Sequence, residues 1–138
     1  MIEAVDTSVL ILRERNTEIA AWFEAQLLGD ALAICDMVRL EYLFGARNGR
    51  DYDLLADALA ALRQFPIEPR DWARALEVQR ALAQQTGGGQ RVVKIPDLLI
   101  AAAAERAQLT LVHYDEDYER ISAISGQATR WVTPRGTA

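Results

Sequence analysis

The stretch VKIPDLLIAAAAERAQLTLVHYDEDYERIS, Val93 to Ser122, sets a wholly apolar helix, a strand and a second helix in direct succession. Pro96 suits the first position of the first helix and Asp97 the second. There a carboxylate meets unpaired N–H groups and the positive end of the helix dipole, worth roughly 0.3–1 kcal/mol. Leu98, Leu99, Ile100 and Ala101 to Ala104 then present apolar surface on every side, so the helix is expected to be buried all round. A carboxylate at the mouth of such a helix is costly unless something binds it. LTLVHYD follows as a strand and EDYERISAIS as a short helix.

The same alternation extends in both directions. MIEAVD reads as a strand ending at Asp6, with Thr7 and Ser8 offering capping hydroxyls to a short helix through Leu12. Thr17 is placed to cap a helix striped by Ile19, Trp22, Phe23, Gln26 and Leu27 that ends near Gly29. ALAIC (Ala31 to Cys35) is a second strand, and Asp36 a cap for the helix through MVRLEYLFGARN. Further helices are expected over Tyr52 to Gln64 and Trp72 to Gln85, separated by FPIEP as a short strand. TGGGQ (Thr86 to Gln90) reads as a flexible loop, and QATRWVTP as the last strand. Strands that alternate with helices imply an α/β fold, a central mainly parallel sheet flanked by helices on both faces. In such folds sites form beyond the carboxyl ends of the strands.

With 138 residues, 51% hydrophobic and 25% charged, the chain has ordinary globular composition and the length of one domain. A net charge of −5 excludes a uniformly basic nucleic-acid binder. The basic residues are nearly all arginine, and this skew, with Lys94 the single lysine, carries no functional weight at this level. The lone cysteine, Cys35, lies in an apolar stretch and suits a buried thiol in a reducing cytoplasm. No apolar run has the length of a membrane span, and Glu3 and Asp6 stand where a signal peptide would need a basic and then an apolar region. A cytoplasmic protein with no membrane association is expected.

Several acids fall at strand ends or helix starts: Asp6 after the first strand, Asp97 at the buried helix, Asp115 and Asp117 after LTLVH. Glu41 joins them. Positions 37, 40, 41 and 44 share a helix face and read Met, Leu, Glu, Phe, so Glu41 takes an apolar slot. Each acid has an ordinary structural role open to it, as cap, turn residue or snorkelling side chain, but their gathering at one end of one sheet needs a common cause. Crowded carboxylates repel one another unless a cation keeps them ionised. Oxygen donors without a histidine or cysteine cluster suit hard Mg²⁺ or Mn²⁺, ions that act on phosphodiesters.

The chain resembles the PIN-domain ribonucleases, and within them the VapC toxins of type II toxin–antitoxin systems. AVDTSVL looks like the family's first strand with Asp6, RLEYLFGAR like the helix with Glu41, IPDLLIAAAA like the segment with Asp97. LVHYDEDYERIS is similar to the late acidic segment, with Asp115 ranked above Asp117 as the fourth acid, and His113 where Thr or Ser is frequent. His113 receives no role beyond hydrogen bonding. The resemblance implies one PIN domain over residues 1–138 and a Mg²⁺-dependent endoribonuclease, with Mn²⁺ able to substitute. Asp6, Glu41, Asp97 and Asp115 would be catalytic and bind metal, with Asp117 as a further ligand. It also implies tRNA, rRNA or mRNA as substrate, inhibition of translation, a homodimer and a VapB-type antitoxin.

Two other classes compete. A catalytically inactive PIN-fold binding module would not need the full acid set, which is present. An Mg²⁺-dependent phosphoacceptor domain would need either paired early acids and a late strand-end lysine, or an acid at Ser8, and has neither.

Overall fold

A computed structural model describes residues 1–85 and 87–138. Its sheet has five parallel strands: β1 (Glu3–Val5), β2 (Leu32–Ile34), β3 (Arg63–Gln64), β4 (Leu111–His113) and β5 (Thr129–Trp131). They lie in the order β3-β2-β1-β4-β5. Ala4 pairs with Ala33 on one side and Leu111 on the other, which fixes β1 at the centre. β2 and β4 are buried along their whole length, as expected of apolar parallel strands covered on both faces. The polar β3 and the half-buried β5 close the edges.

Helices α1 (Thr7–Arg13) and α2 (Thr17–Leu28) connect β1 to β2, and α3 (Asp36–Phe44) and α4 (Gly49–Leu59) connect β2 to β3. The long return to β4 runs through α5 (Pro69–Ala83), a 3-10 turn at Gly89–Arg91 and α6 (Ile95–Arg106); α7 (Asp117–Ser125) leads to β5. Connections on the two sides of β1 run in opposite directions, so right-handed crossovers place their helices on opposite faces. The expected α/β architecture is therefore present. The crevice at the carboxyl ends of β1 and β4, where the strand order reverses, is the natural place for a site.

Local boundaries differ from the sequence reading in instructive ways. Asp6 itself caps α1, accepting from Ser8 N, so Thr7 and Ser8 are freed for other contacts. Asn16 rather than Thr17 caps α2, and α3 begins at Asp36 with Cys35 as its uncapped flank. α4 starts three residues before Tyr52, behind Asn48, and stops at Leu59. The edge strand is Arg63–Gln64 instead of FPIEP, whose Phe65 donates one bond to Ile34 O before Pro66 ends the pairing. Pro96 and Asp97 are the second and third residues of α6, one place later than expected. Of the expected loop, Gly89 starts the 3-10 turn and Thr86 lies outside the described residues. A Cβ on Gly89 would lie 2.8 Å from the Leu82 carbonyl oxygen, so the close packing of this turn on α5 requires glycine.

The core face of α3 is Val38, Tyr42 and Leu43; the face carrying Leu40, Glu41 and Phe44 points outward, with Phe44 92% exposed. The apolar slot assigned to Glu41 is thus a surface one. α6 is buried from Asp97 through Ala104, as its composition demands. Cys35 is buried, and burial pushes its thiol up to about 11. No helix of the described residues is long and apolar enough to cross a membrane.

One buried ion pair ties α6 to the start of α5. Arg106 Nε donates to both oxygens of Asp71, at 2.9 and 3.1 Å, while Asp71 also accepts from Glu68 N in a capping box. Arg106→Ala leaves the buried Asp71 carboxylate without its cation and is expected to cost about 3 kcal/mol. Denaturant unfolding checks this, and a loss under about 1 kcal/mol, the scale of an exposed pair, would contradict it.

Candidate active site

Three consecutive residues at the end of β1 build one wall of the crevice. Asp6 Oδ2 accepts from Ser8 N at 3.0 Å and Ser8 Oγ at 2.6 Å, which holds the carboxylate against the start of α1. Ser8 Oγ also accepts from Tyr114 N at 2.9 Å, pinning the chain beyond β4 to the same point. Thr7 Oγ1 donates to Glu41 Oε1 at 2.8 Å and so draws a side chain of α3 towards Asp6. The dipeptide that sequence reasoning assigned to capping positions two acids instead.

Asp97 enters from the first turn of α6, its side chain 4% exposed. From the floor, the fully buried Tyr118 of α7 places its hydroxyl 2.5 Å from Asp6 Oδ1 and 3.1 Å from Asp97 Oδ1. One phenolic proton cannot serve two carboxylates, so Asp6 and Asp97 compete for it. Asp97 Oδ2 is buried and accepts no hydrogen bond from the described residues, although the Lys94 ammonium lies 3.3 Å away. Asp115, in the turn after β4, and Asp117, at the start of α7, complete the crevice. Asp115 Oδ1 accepts from Asp117 N at 2.9 Å. His113 is buried behind them, and its Nδ1 accepts from Asp115 N at 3.2 Å. Burial lowers its pKa to about 4, so the ring is neutral and serves to hold the Asp115 backbone.

Oxygens from these acids approach in two groups, Asp6 with Glu41 and Asp97, and Asp97 with Asp115 and Asp117, each within 4.8 Å. All five acids singled out in the sequence are thereby brought together, with Asp97 common to both groups. Burial raises the pKa of Asp97, reinforced by the neighbouring Asp117 carboxyl and the charge of Asp6. Burial likewise raises Asp6 and Glu41, against the hydrogen bonds from Ser8 and Thr7. Asp117 moves the other way: burial is outweighed by its bonds with Asp97 and Lys94. Lys94 passed without weight in the sequence, yet its Nζ lies 2.7 Å from Asp115, 2.9 Å from Asp117 and 3.3 Å from Asp97. Crowded, oxygen-only donors, with a buried Asp97 oxygen that has an ion pair but no hydrogen bond, fit a hard divalent cation.

A family model for the PIN domain matches residues 4–124. Ribonuclease VapC18 of Mycobacterium tuberculosis is 47% identical over 137 residues, covering 99% of both chains. The chain belongs to the VapC family of PIN-domain ribonucleases. A second relative, Ribonuclease VapC51 of the same species, is 38% identical over 96% of this chain and 94% of its own. Among solved structures, VapBC2 from Rickettsia felis bound to a DNA fragment from their promoter superposes with a TM-score of 0.75. It is 19% identical and covers 95% of this chain and 98% of that one. DNA-bound VapBC from Salmonella typhimurium gives the same TM-score at 19% identity over 96% of this chain and 100% of that one. At that identity the likeness is one of fold. The VapC chain described here adds to the fold its own acid crevice, with Thr7, Ser8, Lys94 and Tyr118 as the residues that sequence reasoning missed. Only the spacing of Lys94 three residues before Asp97 offered a signal for any of them.

Proposed function

We propose that this chain is a Mg²⁺-dependent endoribonuclease, with Mn²⁺ able to substitute, and the toxin of a type II toxin–antitoxin pair that acts by blocking translation. The observation that carries the reading is the pair of acid groups sharing Asp97, whose buried Oδ2 accepts no hydrogen bond from the described residues. Asp6, Glu41 and Asp97 would hold the ion, with Asp115 and Asp117 on its far side. A divalent ion there supplies activation of a water and charge neutralisation at the phosphate.

The chain's own residues do the rest. Tyr118 and Ser8 fix Asp6, the rigid apolar α6 fixes Asp97, and Thr7 fixes one oxygen of Glu41. The other, Oε2, accepts no bond from the described residues and is free to serve as a ligand. RNA is the substrate class because the family relatives are named ribonucleases; tRNA, rRNA and mRNA all carry the bond.

A VapB-type antitoxin is the proposed partner, since the solved neighbours are VapBC assemblies. A groove lined by Ile11, Tyr42, Phe44 and Leu55 runs directly beside Glu41 and suits an apolar segment of that partner. A second copy of the chain would cover another apolar face, where Trp72, Leu76 and Ile95 are exposed around a cavity of about 200 Å³.

Freed of antitoxin, the purified chain is expected to cut RNA with Mg²⁺ or Mn²⁺, to stop in EDTA and to resume on excess Mg²⁺. Full cleavage in EDTA would overturn the reading.

A further inference from the structure

The two acid groups are not equivalent. In the first, Asp6 and Glu41 make no ion pair among the described residues; Asp97 Oδ2 and Glu41 Oε2 accept no hydrogen bond, and Asp97 Oδ2 alone lies near a cation, 3.3 Å from Lys94 Nζ at the border of the two groups. In the second, every oxygen of Asp115 and Asp117 is engaged. Asp115 Oδ1 accepts from Asp117 N, and Oδ2 from Lys94 Nζ at 2.7 Å. Asp117 Oδ2 accepts from Lys94 N at 3.0 Å and Nζ at 2.9 Å, while Arg120 reaches Oδ1 at 3.4 Å. The Lys94 ammonium therefore stands where a cation bridging Asp97, Asp115 and Asp117 would stand.

We propose that Lys94 is the second cation of this site: the chain holds one divalent ion, at Asp6, Glu41 and Asp97, and Lys94 supplies the other positive charge. The inference rests on the metal-dependent reading above. Nuclease sites with two metals place them about 3.5–4 Å apart, so that one neutralises the attacking side and the other the leaving side of the phosphate. A lysine ammonium is a compact point charge with three donors, able to occupy the second position without water ligands.

The tether keeps it there. Lys94 immediately precedes α6, its own N–H is bound to Asp117, and Pro96 follows two residues on, so its Cα is held beside the acids it neutralises. A second divalent ion would have to displace all three ion pairs at once and then tolerate the ammonium close by.

The test is metal stoichiometry. Metal-free protein is titrated with Mn²⁺ and bound ion counted from the loss of the free Mn²⁺ electron paramagnetic resonance signal. One ion per chain is expected for the wild type and for Lys94→Arg, which keeps the charge. Lys94→Met opens the second group and is expected to bind two, with the broadened spectrum of a coupled pair. Two ions in the wild type, or one in a folded Lys94→Met, overturns the assignment while leaving the metal-dependent reading intact. No ion in the wild type removes both. If Lys94→Met does not fold, Lys94→Gln, which keeps a polar side chain but no charge, is expected to bind two ions, and one ion in it overturns the assignment.

Discussion

Asp97→Asn is expected to lower RNA cleavage by at least about a thousandfold while making the metal-free protein more stable. The first effect follows from position: Asp97 belongs to both acid groups, so its loss removes a charged ligand from each. The second follows from burial. Asp97 is 3% exposed, has one oxygen without a hydrogen bond and shares a single phenolic proton with Asp6. Its ionisation in the folded protein is therefore unfavourable, and its pKa rises from 3.8 to about 8. Asparagine has nearly the same shape, can still accept from Tyr118 and adds donors that face the remaining carboxylates. A gain of roughly 1–3 kcal/mol is expected, read as a higher midpoint in denaturant without metal. Retained cleavage, or a destabilised variant, would remove Asp97 from the centre of the mechanism.

The second large effect links pH, metal and stability. A carboxyl whose pKa is raised on folding binds a proton in the native state over a pH range where the unfolded chain has lost it. Stability then falls as pH rises through that range, here from 3.8 towards about 8. Asp6 and Glu41 act in the same sense. His113 and Asp117, both lowered, oppose it only at lower pH, since His113 loses its stabilising contribution below 6.5 and Asp117 below 3.8. Between pH 6.5 and 8 the acid crevice governs, and the metal-free protein is expected to lose about 1–2 kcal/mol. Mg²⁺ or Mn²⁺ at a hundredfold over its Kd should restore about 2.7 kcal/mol and reverse the slope, because the ion binds the ionised form. Thermal unfolding at the two pH values, with and without metal, measures both. A metal-free stability that rises over this interval would mean the crevice is not under charge strain.

How far the sequence could be read follows from which features are local. The all-apolar run from Leu98 to Ala104 declares its own burial, and strand–helix alternation with right-handed crossovers then leaves few topologies. Asp6, Asp97, Asp115 and Asp117 were visible because strand ends and helix starts in such a fold converge on one edge. Caps were harder: in adjacent polar residues such as Asp6-Thr7-Ser8 or Asn16-Thr17, any member can cap, and tertiary contacts decide. The two-residue strand Arg63–Gln64 has no apolar alternation to announce it, being an edge. Leu40 and Phe44 looked like core because a lone chain does not say which of its apolar faces another surface covers. Tyr118 acts only through partners more than twenty residues away, and Lys94, apart from its spacing to Asp97, acts through Asp115 and Asp117 at similar separations, so little local pattern singled them out.

The bond from Tyr114 N to Ser8 Oγ, like that from Tyr118 to Asp6, joins residues more than a hundred positions apart. Asp6 is synthesised more than a hundred residues before its floor, Tyr118, and the opposing acids Asp115 and Asp117. The central strand β1 likewise waits for β4 before its second edge is paired. A protein proposed to attack RNA is thus assembled so that the acid cluster stays open while more than a hundred residues are added behind its first acid.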